Sequence, residues 1–444
     1  MKGWSVRMNV VLLSGGSGKR LWPLSSDALS KQFLKLLKNE RGEYESMVQR
    51  VVRQLRSAQP SAKVFVSCNE TQADALRRQL GDVEMILEPA RRDTFPAISL
   101  AAAYLRYEKQ LDEDESFVVC PIDVFANIEY FDLLSEVEKL ASTGENEIGL
   151  LGVFPTYPSE KYGYILQTGG KVTGFVEKPS ESDAANLIAG GALWNCGVFA
   201  LKIGYTLRHA LKHAEFDSYK ALYDHYHELP RISFDYEVVE HEPSIGAAVY
   251  NGIWKDLGTW NTLTEEMHEP SMGSNILISD TCENTHVLNT LNIPVIAQDM
   301  SDTIVVASYD GILVSSKHGS SFLKPLAEQI NMRPMYEQRR WGNYRVLDYK
   351  QTGGASSLVK RMRIEAGQSI SYQYHSKRSE VWVFISGKGI LTIDGTESVV
   401  SAGSVIKIPQ GEKHSLLAAT ELEFIEIQLG DGALEEEDIV RIEM

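Results

Sequence analysis

Short apolar runs alternate with amphipathic stretches up to about residue 125. Asn9–Leu13 is an apolar run ending in glycines and predicts a buried strand. Within Ser46–Leu55, residues Met47, Val48, Val51, Val52 and Leu55 recur at helical spacing. Lys63–Ser67 predicts a strand, Thr71–Leu80 a helix and Glu84–Leu87 a strand. Thr94–Leu111 predicts a long alanine-rich helix, and Phe117–Cys120 a further strand. This alternation predicts a sheet with parallel strands, covered by helices on both faces. Ligands of such sheets sit beyond the C-terminal strand ends, where Gly15-Gly16 and Asp123 fall.

From about Ser271 the rhythm changes. Ile276–Ile278, Thr285–Leu288, Thr303–Ala307 and Gly311–Val314 are short β-rich runs, and a charged helix-like piece follows at Ser321–Gln329. From Trp341 the chain is strand after strand, with turns at Ser386-Gly387 and Asp394-Gly395, which predicts an antiparallel barrel or jelly roll. The expected domains are residues 1–270, 271–335 and 336–444. The 444 residues are 43% hydrophobic and 23% charged, so large cores are available. A net charge of −16 argues against a nucleic-acid or anionic-membrane binder, though a local cluster of cations could still hold a small anion. Four widely spaced cysteines, no C-x-x-C pair and no run long enough to span a bilayer lead to the expectation of a cytoplasmic protein.

The run Leu13-Ser14-Gly15-Gly16-Ser17-Gly18-Lys19-Arg20 follows a predicted strand. Glycines there let backbone N–H groups approach phosphate oxygens, and Arg20 adds charged donors. It is not a P-loop, because Arg20 follows Lys19 and Leu13 stands where the first glycine should be. Nor is it a dinucleotide fingerprint, because Leu21 replaces the third glycine. The whole run through Trp22-Pro23-Leu24-Ser25 resembles the signature of sugar-nucleotide pyrophosphorylases. With Lys31-Gln32-Phe33-Leu34 it is similar to the mannose-1-phosphate guanylyltransferase branch.

That resemblance extends over roughly the first 330 residues and implies a Rossmann-like, GT-A-like nucleotidyltransferase domain with a mixed sheet. Glu88-Pro89-Ala90-Arg91-Arg92-Asp93-Thr94-Phe95-Pro96 resembles the family's nucleobase-side motif, with Asp93 for Asn and Phe95 for Ala. The same residues also suit a capped helix start, with Asp93 as N-cap. Cys120-Pro121-Ile122-Asp123 and Trp254-Lys255-Asp256-Leu257-Gly258 resemble the two motifs whose aspartates hold Mg²⁺. Lys161-Tyr162-Gly163-Tyr164, Phe175-Val176-Glu177-Lys178, Trp194-Asn195-Cys196-Gly197 and Ser233-Phe234-Asp235 resemble the sugar-side motifs, with Lys161 replacing a glycine. The resemblance therefore implies nucleotide contacts at Ser14, Gly15, Gly16, Gly18, Arg20, Glu88, Arg92, Thr94 and Asp123. It implies sugar-phosphate contacts at Gly163, Glu177, Lys178, Asn195 and Asp235. Arg20, Lys31 and Lys178 would carry catalysis, with Mg²⁺ on Asp123 and Asp256 and with GTP and mannose-1-phosphate as substrates.

Near the C-terminus, Gln373, His375, Glu380 and His414 resemble the ligand set of a cupin, where Zn²⁺, Mn²⁺ or Fe²⁺ would suit the mixed donors. This region resembles the mannose-6-phosphate isomerase half of two-headed enzymes, retaining Arg378 but carrying Ser376, Lys377 and Val381 in place of histidines. The sequence leaves open a guanylyltransferase with a metal-binding cupin, a bifunctional enzyme that also isomerises mannose-6-phosphate, and a non-catalytic sugar-nucleotide-binding protein. Self-association is also left open.

Overall fold

The computed structural model describes residues 7–15, 18–26, 29–431, 434 and 438–442. The chain separates into two compact units: residues up to Leu21 with Ser30–His268, and Trp22–Leu29 with the chain from Glu269 onward. Residues 271–335 and 336–444, expected as separate domains, thus cluster together, and Trp22–Leu29 joins them.

The first unit is built on a mixed sheet. Its strands are β1 (Asn9–Leu13), β4 (Lys63–Asn69), β5 (Glu84–Glu88), β6 (Ser116–Pro121), β8 (Ile148–Val153), β9 (Tyr164–Thr168), β10 (Lys171–Val176), β11 (Leu193–Lys202) and β12 (Ile245–Tyr250). A hairpin of β2 (Lys35–Lys38) and β3 (Tyr44–Ser46), and a pair formed by β7 (Val124–Ala126) with β13 (Trp254–Asp256), stand beside it. The order is β10-β9-β11-β6-β1-β4-β5, with β8 joining β11 and β12. β1 runs parallel to β4 and β6, whereas β11 is antiparallel to β6, β8 and β9. The central strands read as continuous apolar runs because both faces are covered.

The helices start where their caps dictate. Ser46 and Gln49 form a capping box at α1 (Met47–Ala58), and Asn69 caps α2 (Glu70–Leu80) before Gly81 ends it. Asp93 caps α3 (Thr94–Ala103), as the sequence suggested. The α-helix ends earlier than expected, giving way to a π-type turn over Tyr104–Glu108.

In the second unit, β14 (Ser271–Gly273), β16 (His286–Asn289) and β18 (Thr303–Ser308) stack in parallel, as do β15 (Ile276–Ile278) and β17 (Val295–Ala297). β19 (Gly311–Ser316) adds to β18 antiparallel. Val287, Ala297 and Val305 fill this small core with Ile276, Ile278 and Val295 against them. The cis-linked Trp22-Pro23 segment is fastened here: Ser308 Oγ donates to the Pro23 carbonyl at 3.0 Å. A Cβ on Gly311 would fall 2.5 Å from the Trp22 ring, so that approach demands glycine.

The remaining strands form two antiparallel sheets, the double-sheet cupin jelly roll that the sequence implied. One contains β20 (Tyr336–Arg339), β21 (Gly342–Thr352), β22 (Ala355–Ile364), β24 (Arg378–Ser386), β27 (Val405–Ile408) and β29 (Leu422–Asp431). The other contains β23 (Ser369–His375), β25 (Lys388–Ile393), β26 (Thr396–Ser401), β28 (His414–Ala418) and β30 (Ile439–Arg441). Trp382, Phe384, Leu391, Leu416 and Phe424 belong to its core.

Gln72 on α2 ties down the start of the glycine-rich loop. Its side chain accepts from Ser14 Oγ at 3.2 Å and donates to Ser30 Oγ at 3.1 Å, all three residues being buried. Gln72→Leu would leave the Ser14 hydroxyl proton without its acceptor and the Ser30 hydroxyl without its donor, both away from water. It should cost about 1–3 kcal/mol, read as a lower urea midpoint; an unchanged midpoint would show that this bridge anchors nothing.

Candidate functional site

Strand register assembles the first constellation. Leu13 of β1 stands opposite Pro121 of β6, so the loop after Leu13 and the turn carrying Asp123 leave neighbouring strand ends. Asp256 of β13 stands opposite Val124 of β7, which brings the second carboxylate next to the first. Lys31 Nζ lies between them, 2.8 Å from Asp123 Oδ2 and 3.1 Å from Asp256 Oδ1. Burial opposes the Lys31 charge, but Asp123 and Asp256 outweigh it and hold the ammonium pKa above its ordinary value. Burial likewise opposes the Asp256 charge, yet Lys31, Arg20 and Lys161 bring its pKa below normal. Gly258 lets the chain pass this carboxylate, because a Cβ there would sit 2.9 Å from Asp256 Oδ1. Two hard oxygen donors already converging on one cation suit Mg²⁺, which needs few protein ligands.

The sugar-side residues form a second group in the same unit. Lys178 Nζ pairs with Glu177 Oε1 at 2.8 Å and lies 5.5 Å from the Tyr236 ring centre. Asn195 Nδ2 donates to Asp235 Oδ1 at 2.8 Å, and the Asn195 N–H donates to the Gly163 carbonyl. Glu240 Oε1 accepts the Glu177 N–H at 2.7 Å. Burial, with the nearby Glu177 charge, pushes Asp235 up from its ordinary 3.8 to about 7. Glu177 is raised as well, by burial and by Glu240 and Asp93, against the pull of Lys178. Gly163 has a steric reason to be glycine: a Cβ would meet the Phe175 ring at 2.4 Å and Glu177 Oε2 at 2.5 Å.

In the second unit, Gln373 and His375 point inward from alternate positions of β23, and Gln373 stands opposite His414 of β28. His375 Nε2 is 3.1 Å from Glu380 Oε1, and His414 Nε2 is 3.9 Å from Glu380 Oε2. His414 Nδ1 faces the Glu412 carbonyl at 3.0 Å. A carbonyl only accepts, so Nδ1 carries a proton there, and Nε2 is the ring nitrogen on the Glu380 side. That Nε2 is buried without a hydrogen-bond partner. Burial, together with Arg378 and His414, lowers His375 to about 4 and keeps it neutral near pH 7. Two imidazoles, a carboxylate and an amide oxygen fit a divalent transition metal. Arg378 Nε and Trp382 Nε1 donate to the two Glu380 oxygens, both at 3.0 Å. Gln373 and Glu380 line a pocket with Lys360, Arg378, Glu426 and Arg441.

Comparison with known proteins assigns two stretches of the chain to families. Residues 9–271 match the nucleotidyl transferase family, and residues 328–444 match the mannose-6-phosphate isomerase C-terminal family. A mannose-1-phosphate guanylyltransferase of Salmonella typhimurium (strain LT2) is 30% identical, over 98% of this chain and 97% of that one. The chain belongs to the mannose-1-phosphate guanylyltransferase family of nucleotidyl transferases. A Klebsiella pneumoniae member is also 30% identical, over 97% of this chain and 98% of its own. A crystal structure from Thermus thermophilus, named as a mannose-1-phosphate geranyltransferase, superposes with a TM-score of 0.60 at 26% identity, over 73% of this chain and 99% of that one.

Within this family fold, Lys31, Asp123 and Asp256 come together, as do Gly163, Glu177, Lys178, Asn195 and Asp235. Arg20 is exposed on the turn Gly18–Leu21, near enough to affect Asp256, and Gly15 is exposed at the strand end. Gly16 lies outside the described residues. Four expected nucleotide contacts have partners within the protein. The Ser14 N–H donates to the Ser67 carbonyl, while its hydroxyl donates to Gln72 and accepts from Gln32. Glu88 accepts from Ser67 Oγ and from the Tyr226 hydroxyl. Arg92 Nε donates to the Leu229 carbonyl, and Thr94 Oγ1 accepts the Phe234 N–H. These four therefore brace the loop and the segment leading to Asp235.

The sequence reading missed an aromatic cluster. Tyr162 lies 4.8 Å from Trp194 and 5.2 Å from Trp254 between ring centres, and Tyr157 lies 5.0 Å from Trp194. Burial and the Asp256 charge raise the Tyr162 pKa. The signal was present, since three of these aromatics sit inside the motifs quoted for their polar residues.

Because Asp235 is raised when folded, the unfolded chain releases its proton first as pH climbs. The folded state then binds more protons, and this group's contribution to stability falls between about pH 4 and pH 7. Asp235→Asn keeps an acceptor for Asn195 and removes that loss. Its stability relative to wild type should rise across this window in urea titrations at pH 5 and 8, and an equal difference at both would contradict the assignment.

Proposed function

We propose that the first unit transfers GMP from GTP to mannose-1-phosphate, giving GDP-mannose and pyrophosphate. A phosphate oxygen of the sugar phosphate attacks the α-phosphorus in line, and the bond from that phosphorus to the oxygen bridging the α- and β-phosphates breaks. The nucleophile is already anionic, so positioning and charge neutralisation carry the rate. Arg20 and Lys31 hold the triphosphate and its departing pyrophosphate, and Gly15, Gly16 and Gly18 let backbone donors approach it. Lys178 holds the attacking phosphate, with Glu177, Asn195 and Asp235 on the sugar. Mg²⁺ on Asp123 and Asp256 supplies Lewis-acid charge to the phosphates when bound. The observation that carries this reading is the convergence of Asp123 and Asp256 on one cation at touching strand ends.

A second reading adds mannose-6-phosphate isomerisation in the cupin, and a specific observation favours it. Ser376 and Lys377 are exposed at the end of β23, and Val381 alternates away from the inward-facing Glu380 and Trp382. The residues that replace histidines therefore do not line the cavity, whereas Gln373, Arg378, Glu380 and Glu426 do. Zn²⁺, Mn²⁺ or Fe²⁺ held by Gln373, His375, Glu380 and His414 would polarise the sugar oxygens when bound.

Pyrophosphate release across several nucleoside triphosphates and sugar-1-phosphates should be greatest with GTP and mannose-1-phosphate. Asp256→Asn should lower turnover at least about a hundredfold with the fold retained, and wild-type release from that variant would remove the metal assignment. Fructose-6-phosphate/mannose-6-phosphate interconversion should vanish in Glu380→Gln while pyrophosphate release persists. An absence of interconversion in the wild type with each of the three metals would end the second reading.

A further inference from the structure

We propose that Lys31 is an intrinsic counter-ion that keeps the Asp123–Asp256 pair closed to divalent cations until a nucleoside triphosphate draws its ammonium away. The proposal rests on the transferase reading above and concerns the order in which two cations use one pair of carboxylates. Lys31 Nζ contacts one oxygen of each aspartate, at 2.8 Å and 3.1 Å. The Lys31 side chain is only 12% exposed, while Asp123 and Asp256 are 29% and 39% exposed, so water screens the contact only in part. A divalent ion bridging the same carboxylates would lie against this ammonium, and like charges at that range in a partly dry site exclude one another.

A triphosphate changes the balance twice. It offers Lys31 new anionic acceptors, and it supplies further oxygens to an ion that prefers to bridge phosphates. The two cations then exchange places: the ammonium moves to the phosphates as the metal takes the aspartates. Binding linkage makes this reciprocal, so nucleotide must tighten metal binding by the factor with which metal tightens nucleotide binding. Removing the Lys31 charge should open the carboxylates without nucleotide and shrink that factor. Arg20 and Lys161 also act on Asp256, through space and more weakly than Lys31.

The test is Mn²⁺ binding to the full-length protein, read from the electron paramagnetic resonance signal of free Mn²⁺. Asp256→Asn serves as the reference that subtracts every other site, the cupin included. A GTP analogue with a methylene group between its α- and β-phosphorus atoms provides the nucleotide arm. Without nucleotide, Lys31→Met should bind the Asp256-dependent ion at least about tenfold more tightly than wild type, and the analogue should tighten that binding by a smaller factor than it does in wild type. Lys31→Arg, which keeps the charge, should stay close to wild type. If wild type and Lys31→Met bind equally without nucleotide, and Asp256→Asn abolishes that binding, the counter-ion proposal fails while the metal site stands. If no protein shows Asp256-dependent binding with or without the analogue, both fail.

Discussion

The contact of one ammonium with two carboxylates organises the first unit. Lys31, Asp123 and Asp256 come from three distant stretches of chain, and strand pairing brings Asp256 beside the segment that carries Asp123. Two aspartates brought this close in a partly buried place repel each other unless a cation stands between them. The fold therefore needs a positive charge at the position where the proposed chemistry also needs one. The glycine at 258 belongs to the same constraint, since any side chain there would press on the Asp256 carboxylate.

The cupin solves a similar electrostatic problem with different parts. Glu380 is fully enclosed, and its two oxygens are held by the Arg378 guanidinium and the Trp382 indole. Glu426, also buried, is raised by burial and by the neighbouring Glu380 charge, against Lys360 and Arg378. Carboxylates and cations buried together give this pocket a polar lining. An isolated buried charge would instead be a cost.

Much of this was legible because the chemistry-bearing residues sit in local motifs. β1 begins and ends where the apolar run does, the Asp93 cap was visible from its neighbours, and inward alternation at Gln373 and His375 follows from strand geometry. What escaped the sequence depends on partners far along the chain. Nothing near Ser14 announces that Gln72 and Gln32 will occupy its hydroxyl, and nothing near Thr94 announces the Phe234 N–H. The parallel stacking of β14, β16 and β18 was hidden for a similar reason. β14 is only three residues long, and β16 and β18 are buried along their whole length, so no alternation shows. The early end of α3 gave no breaker signal either, since Tyr104–Glu108 contains neither glycine nor proline.

The assignment of Trp22–Leu29 to the second unit has an evolutionary and practical consequence. The backbone passes between the units at 21/22, 29/30 and 268/269, so the two are interlaced along the chain rather than strung in series. Gene fission at the last junction would leave one product carrying Trp22 and Pro23 and the other carrying Gly311 and Ser308, which hold them. Each fragment would lose a contact that the other supplies. A lineage that discarded its cupin would have to keep the stacked strands between Ser271 and Ser316, or refashion the segment that follows its glycine-rich loop.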